Sequence, residues 1–344
     1  MISGLGAANG RSVHGTIYEF DALPFFAQTR SRTAPRASSH TRGERAVPLV
    51  GIVRNPRSHR NKGLAPELDE CANILTETPA TREALRDCLI EFARREIDYL
   101  VVDGGDGTVR DVLSCGADIF ADDWPALIIL PKGKTNALTI DLDLPKGWSL
   151  TDALAAARRG RTVQRRPLRI ASAGGRGCVQ GFFLGAGVIS LAVEAGQEAH
   201  RRGAFNSLAV GVTILWAIVQ TLFGRTGNPW RACAPMRLSF RKSGKELPHA
   251  GRGDPGQRFL MVGTTFENFP FGARPFGKQA RPGLKFGVID WPVRWFMALL
   301  PAVLFGFYPR WMERFGTHRF QTDDIELDFG DSFIVDGEAF PAGR

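Results

Sequence analysis

Apolar and polar positions change their period along this chain, and the change separates two regions. Leu49–Val53 is a short apolar run with β-branched residues, and it ends in the polar turn Asn55-Pro56-Arg57-Ser58. Within 81–96, Leu85, Leu89, Phe92 and Ala93 recur at helical spacing. Tyr99–Val102 is a second strand, Thr108–Leu113 opens a helix, and Ala126–Leu130 is a third strand closed by Pro131. Ser149–Arg159 is a helix with Ser149 near its cap. Strands joined by helices of this length predict a parallel sheet with helices on both faces. After Gly160 the segments 163–171, 178–184, 235–241, 258–265, 284–290 and 324–335 have strand character with turn residues between many of them. Two apolar helices, about 204–223 and 291–307, interrupt them, and 242–257 is a polar loop rich in Gly and Pro.

Composition narrows the class. The chain has 344 residues, room for two domains at roughly 100–200 residues each. Hydrophobic residues make up 44% and charged residues 23%, enough to build a large core and to exclude whole-chain disorder. The expected division is an extension over 1–46, an α/β domain over 47–160 and a β-rich domain over 161–344. The extension mixes Ser, Thr, Arg and Gly without sustained periodicity, as in a disordered tail or the product of a misplaced start codon. No apolar segment follows a basic start there, so a secretory signal is not expected. The net charge of +9 suits anionic partners. The basic residues are dispersed and no known motif organises them, so nucleic acid is not expected as a partner. The closest cysteines, Cys71 and Cys88, lie 17 positions apart, and no two histidines stand at i, i+4. That pattern suits reduced cytosolic thiols and argues against zinc catalysis. Gly203–Gly224 carries no charge, but Asn206, Ser207, Thr213, Gln220 and Thr221 dilute it, so a buried or interfacial helix is expected rather than a span.

Chemistry concentrates in Asp103-Gly104-Gly105-Asp106-Gly107-Thr108, between a strand and a helix. A glycine-rich strand-to-helix turn is a phosphate cradle. Glycine permits positive φ and close approach of the main chain, while the first N–H groups and the dipole of the helix face the anion. Thr108 and Asp111 have the spacing of a capping box. Asp106 would repel a bound phosphate unless Mg²⁺ lies between them, or unless the carboxylate accepts a proton from an attacking hydroxyl. Gly133-Lys134-Thr135 lacks the first glycine of a Walker A loop, because position 128 is Ile128. The glycine spacing also differs from a dinucleotide fingerprint.

The hexapeptide resembles the GGDGT signature of the diacylglycerol kinase catalytic domain family, which includes sphingosine, ceramide and bacterial lipid kinases. Asn55-Pro56-Arg57-Ser58 with Gly63 resembles the family's NPxSG loop. Leu130-Pro131-Lys132-Gly133-Lys134-Thr135-Asn136 resembles its PxGTxN loop, and Asp336-Gly337-Glu338 its late DGE element. The resemblance implies an N-terminal parallel-sheet α/β nucleotide-binding domain, a C-terminal β-sandwich-like domain and an active site in the cleft between them. It implies ATP- and Mg²⁺-dependent phosphorylation of a lipid hydroxyl, with a diacylglycerol- or sphingoid-like acceptor. By position, Asn55, Ser58, Gly104, Gly105, Gly107, Thr108, Gly133, Lys134 and Asn136 would bind the nucleotide. Asp106, Asp336 and Glu338 would be the catalytic acids, with Asp106 and Glu338 on the metal and one of these two as the base.

The sequence also departs from the family pattern. Lys134 replaces its Thr, Ala137 follows Asn136 where Asp is usual, and Gly185-Ala186-Gly187-Val188-Ile189 stands in place of a GFD-type stretch. Gln279-Ala280-Arg281-Pro282-Gly283 lacks the acid that would hold a structural Mg²⁺. These changes keep open a catalytically degenerate nucleotide- or membrane-binding regulator, beside a kinase with a soluble acceptor such as NAD. A lipid kinase must meet a bilayer without crossing it. Trp291, Trp295, Phe296, Leu299, Leu300, Phe305, Phe307, Tyr308 and Trp311, bounded by Arg294, Arg310 and Arg314, have the composition for that contact. The partners implied are a lipid alcohol at a membrane surface and anionic lipid, in a cytoplasmic, peripherally membrane-associated protein, with room for a homodimer.

Overall fold

A computed structural model describes residues 45–65, 71–145, 147–172, 178–201, 219–225, 227–250, 252–277 and 282–341. The expected extension lies outside the described residues up to position 44, as do Gln279-Ala280-Arg281 and most of the apolar segment 204–223. The chain divides into two compact units. One comprises the residues up to Gly133 with Ala171–Val179; the other comprises Lys134–Ile170 and Gln180–Arg344.

In the first unit four parallel strands line up in the order β2-β1-β3-β4: β1 Val50–Arg54, β2 Ile74–Glu77, β3 Tyr99–Gly104 and β4 Ala126–Pro131. β2 reads Ile-Leu-Thr-Glu with only Ile74 buried, so its apolar signal is too short to mark it. Helix α1, Arg82–Arg94, starts at Thr81, whose side chain accepts from the Ala84 N–H, and buries Leu85, Cys88, Leu89 and Phe92. Helix α2, Asp106–Phe120, packs against α1. The two helices therefore lie on one face of the sheet, not one on each. From β2 to β3 and from β3 to β4 the chain steps in the same direction, and a constant crossover hand keeps both connections on the same side. Asp98 fixes the start of β1, accepting from the Leu49 N–H at 2.7 Å and pairing with Arg45 at 3.0 Å.

The second unit begins with helices α3, Ala137–Asp141, and α4, Leu150–Arg158, the latter closed at its N-terminus by a Ser149–Asp152 capping box. Its main sheet has six antiparallel strands in the order β13-β12-β11-β7-β15-β16. These are β7 Phe183–Gly187, β11 Leu260–Thr264, β12 Lys285–Ile289, β13 Thr317–Gln321, β15 Phe333–Val335 and β16 Glu338–Phe340. A smaller antiparallel sheet joins β8 Ala234–Phe240, β9 Lys245–Glu246, β10 Gln257–Arg258 and β14 Glu326–Phe329, and Phe240 meets Phe320 edge-on at 5.2 Å between the sheets. β5 Leu168–Ala171 and β6 Cys178–Gly181 form a two-stranded sheet of their own.

Several strand boundaries differ from the apolar pattern. Segment 178–184 breaks at Phe182, where the Phe182 and Phe183 amides turn onto the Asp336 carboxylate. Segment 324–335 breaks at Gly330, which bonds the Pro235 carbonyl, and its two halves join different sheets. Helix α5, Val188–Arg201, follows β7 directly. The polar stretch 242–257 is tied down: the Leu247 carbonyl accepts from Arg258, and the Ala250 N–H donates to Asp290. Arg258 and Asp290 are fully buried and paired, and His318 completes the cluster on Asp290 at 2.8 Å. Helix α6, Arg294–Leu304, contains Pro301 and is shorter than its apolar run.

Candidate functional site

Three loops of the first unit converge at the carboxyl ends of β1, β3 and β4, where an open α/β sheet places its ligands. They are the turn after β1, the glycine turn after β3 and the bend after β4. Their keystone is Asp103, the residue before the glycines. Its buried carboxylate pairs with Arg54 at 2.9 Å and accepts from Asn61 Nδ2 at 3.0 Å. The same Asn61 amide reaches the Asp103 and Asn55 carbonyls, and Arg54 also donates to the Leu64 carbonyl. Asn55 bridges inward and forward. Its Nδ2 donates to Thr108 Oγ1 at 3.0 Å, its Oδ1 accepts from the Arg57 N–H, and its own N–H donates to the Asp103 carbonyl. The third loop is stitched on by Lys132 N–H to the Gly104 carbonyl and Arg60 N–H to the Lys132 carbonyl, each at 3.1 Å.

The glycines serve a different end from the one their permissiveness predicts. Gly104 and Gly105 do not adopt positive φ. What Gly105 supplies is proximity: a Cβ there would stand 2.8 Å from the Gly133 Cα, so two loop backbones touch glycine to glycine. Gly105→Ala is expected to push these loops apart, since the obstacle is main chain and cannot rotate away. The Tm should fall by a few degrees; an unchanged Tm would show that the contact is incidental.

Helix α2 begins at Asp106 with Gly105 as its N-cap and no side-chain cap. The Thr108–Asp111 capping box is therefore absent. Thr108 lies inside the helix, fully buried against Asn55, and Asp111 pairs with its neighbour Arg110. The helix opens two residues early because Asn55 claims the Thr108 hydroxyl. Asp106 and Gly107, both half-buried, stand on the first turn, where the positive end of the dipole lies. Ser58 is buried on the turn after β1, and its Oγ has no hydrogen-bond partner.

The remaining candidate residues belong to the second unit. Lys134 is half-buried. Asn136 is the N-cap of α3 in the left-handed conformation (φ 51°), which Asn tolerates better than most residues, and its carbonyl accepts from Thr139. Asp336 and Gly337, both at positive φ, make the two-residue turn between β15 and β16. The Asp336 carboxylate accepts from the Phe182 and Phe183 N–H groups at 2.9–3.2 Å, which holds the hairpin to β7 and sets Glu338 at the start of β16. A Cβ on Gly181 would meet the Asp336 carboxylate at 2.5 Å. Among the described residues no group of three or more His, Cys, Asp or Glu side chains is placed to hold a metal.

Sequence reasoning assigned no role to Asp103, Asn61 or Arg54, and also missed Asp141 and Lys285. Asp141 is fully buried, accepting from Arg165 at 2.7 Å and from the Glu267 and Asn268 N–H groups. Lys285 donates to the Phe266 and Gly283 carbonyls on the floor of a cavity of about 330 Å³ walled by Phe269 and Phe276. Burial holds its ammonium below the usual lysine range, opposed by Glu267 and Asp141. A charged residue flanked by apolar ones was the available signal for both Asp103 and Lys285.

Residues 52–171 match the family model described as the diacylglycerol kinase catalytic domain. That stretch, about a third of the chain, is similar to the family's catalytic domain. The matched stretch contains all three converging loops and ends well before Asp336. A curated diacylglycerol kinase from Bacillus subtilis (strain 168) is 34% identical to this chain over 132 residues, which is 36% of this chain. The alignment spans 42% of that relative, under half its length. A crystal structure described as a diacylglycerol kinase from Bacillus anthracis str. Sterne superposes on 85% of this chain and 91% of its own, with a TM-score of 0.53 at 16% identity. Another structure from the same organism reaches 0.55, with 92% of its length covered. At that identity the likeness establishes the fold, and it extends beyond the kinase domain into the antiparallel sheets.

Proposed function

We propose that this protein is an ATP- and Mg²⁺-dependent lipid kinase, transferring the γ-phosphate to a hydroxyl of a diacylglycerol- or sphingoid-like acceptor at a membrane surface. The observation that carries the proposal is the bonded set of three loops at the carboxyl end of the parallel sheet. It combines a helix N-terminus, a glycine contact without side chains and a buried, unpartnered Ser58 hydroxyl.

The donor set fits a polyphosphate. The first turn of α2 stands at the positive end of a helix dipole, worth roughly half a charge, which favours an anion. Gly105 lets an oxygen come close to the main chain, and Ser58 Oγ offers one more hydrogen bond. Asn55 and Thr108 act one layer back, holding the loop in place. Mg²⁺ is ordinarily held by one or two carboxylates together with phosphates and water, so Asp106 on the first turn is enough to begin a site. When bound, the metal would neutralise charge developing on the transferred phosphoryl group.

Asp106 is assigned as the residue that faces the metal or removes the acceptor proton. Glu338, held by the Asp336 turn, is assigned as the acid of the second unit, and Lys134 and Asn136 as further nucleotide contacts. Because phosphoryl transfer asks little covalent chemistry of the protein, the rigidity of these loops supplies the catalysis through positioning.

The test is incubation of the purified protein with γ-labelled ATP, Mg²⁺ and a total lipid extract, with a parallel arm containing NAD. A labelled lipid supports the proposal. Label in NAD alone, or nucleotide binding with no transfer to any lipid, overturns it.

A further inference from the structure

The second unit carries a surface feature that phosphoryl transfer does not use. Helix α6 has Arg294 as its single charged residue. Its inner side packs normally: Met297, Leu300 and Val303 join Phe259, Ile289 and Met312 in the core. Its outer side is also apolar, with Trp295, Ala298, Pro301, Ala302 and Phe305 exposed. A helix apolar on both sides needs a cover on both. Beside it, the short 3₁₀ helix Arg310–Phe315 buries Met312 and turns Trp311 and Phe315 outward.

Trp295, Trp311 and Phe315 meet there, with ring centroids 5.5, 5.1 and 6.1 Å apart, yet remain 43%, 39% and 45% exposed. Single exposed aromatics are ordinary, but a contiguous cluster marks an interaction surface. Its rim is basic: Arg310 and Arg314 are exposed beside the rings, with Glu313 between them.

We propose that this face docks on an anionic bilayer, with the three rings at headgroup depth and Arg310 and Arg314 on lipid phosphates. Tryptophan favours that depth, and arginine gains there from the negative surface potential. Charge decides against the other occupants. A second copy meeting through the same face would oppose arginine to arginine across a two-fold axis. The uncharged stretch from Gly203 to Gly224 offers no acid to meet them. Docking holds whichever hydroxyl is phosphorylated, so it is tested without ATP.

The full chain would be sedimented with phosphatidylcholine vesicles, with and without phosphatidylglycerol, while tryptophan emission is followed. We expect about tenfold stronger partition onto the anionic vesicles, with a blue shift, falling away as salt approaches about 1 M. Trp295→Ser with Trp311→Ser and Phe315→Ser should cut partition about tenfold or more on both vesicle types and remove the blue shift. Arg310→Glu with Arg314→Glu should abolish the preference for phosphatidylglycerol alone. The arginines are exposed, so their variant should keep its Tm; the rings are more than half buried against one another, so the serine variant is compared at a temperature well below its own Tm, and the salt dependence of the unaltered protein tests the same point without substitution. Absence of partition, or serine variants that bind as well as the original, would overturn the proposal. So would a dimer in analytical ultracentrifugation that the serine variants dissociate.

Discussion

Asp106→Asn is expected to lower phosphoryl transfer about 10³-fold while the protein stays folded. The size follows from the role proposed for Asp106, a carboxylate that faces the metal or accepts the proton in a site where positioning survives. The fold should persist because the residue is only half-buried on the first turn of α2, where a carboxylate contributes about 0.3–1 kcal/mol through the helix dipole. Nucleotide affinity should hold or rise without Mg²⁺, since a negative charge beside the phosphates has gone. Turnover, equilibrium nucleotide binding and the far-UV spectrum together check this. Activity within a few-fold of the original protein would reduce Asp106 to a helix-terminus charge, and the site would need another acid.

The neighbouring acid, three positions earlier, should behave in the opposite way. Asp103→Ala is expected to cost about 3–5 kcal/mol, because it leaves the Arg54 guanidinium buried without its partner. Asn61 loses an acceptor in the same change. A fall in Tm of roughly 10 °C or more should follow, with loss of activity as the loops loosen. Replacing both members, Arg54→Met with Asp103→Leu, should recover much of the stability, since removing a buried pair together is far less harmful than removing one partner. Calorimetry on the two single variants and the double variant closes the cycle. If Asp103→Ala melts within a degree or two of the original protein, Asp103 is not the keystone of the three loops.

The contrast between these two acids shows what could be read in advance. Both stand in one hexapeptide, and the sequence drew attention to Asp106 because a charge among glycines looks chemical. Asp103 looked like the end of a strand. Its importance comes from Arg54 and Asn61, 49 and 42 positions away, which no local pattern can pair with it. The Thr108–Asp111 box failed for the same reason: an Asn55 side chain from another loop claimed the hydroxyl that would have capped the helix. Ser149, read as standing near a cap, does cap its helix, and the structure adds Asp152 as its partner in a capping box. Asp336-Gly337 stood out in the sequence through its resemblance to the DGE element, and the folded chain makes it a hairpin turn. The structure adds that its carboxylate is bonded to two amides of the β6–β7 corner.

By itself the sequence determined the alternation of strand and helix, the change to a strand-rich second region and the glycine turn between a strand and a helix. Those are properties of neighbours: period, caps and turn residues act over a few positions. Tertiary structure alone decided that α1 and α2 share one face, that Gly105 touches Gly133, and that the outer sides of α6 and its 3₁₀ neighbour gather three aromatic rings. Each of these joins residues far apart along the chain, and such contacts exist only once the folded backbone has brought them within a few ångströms.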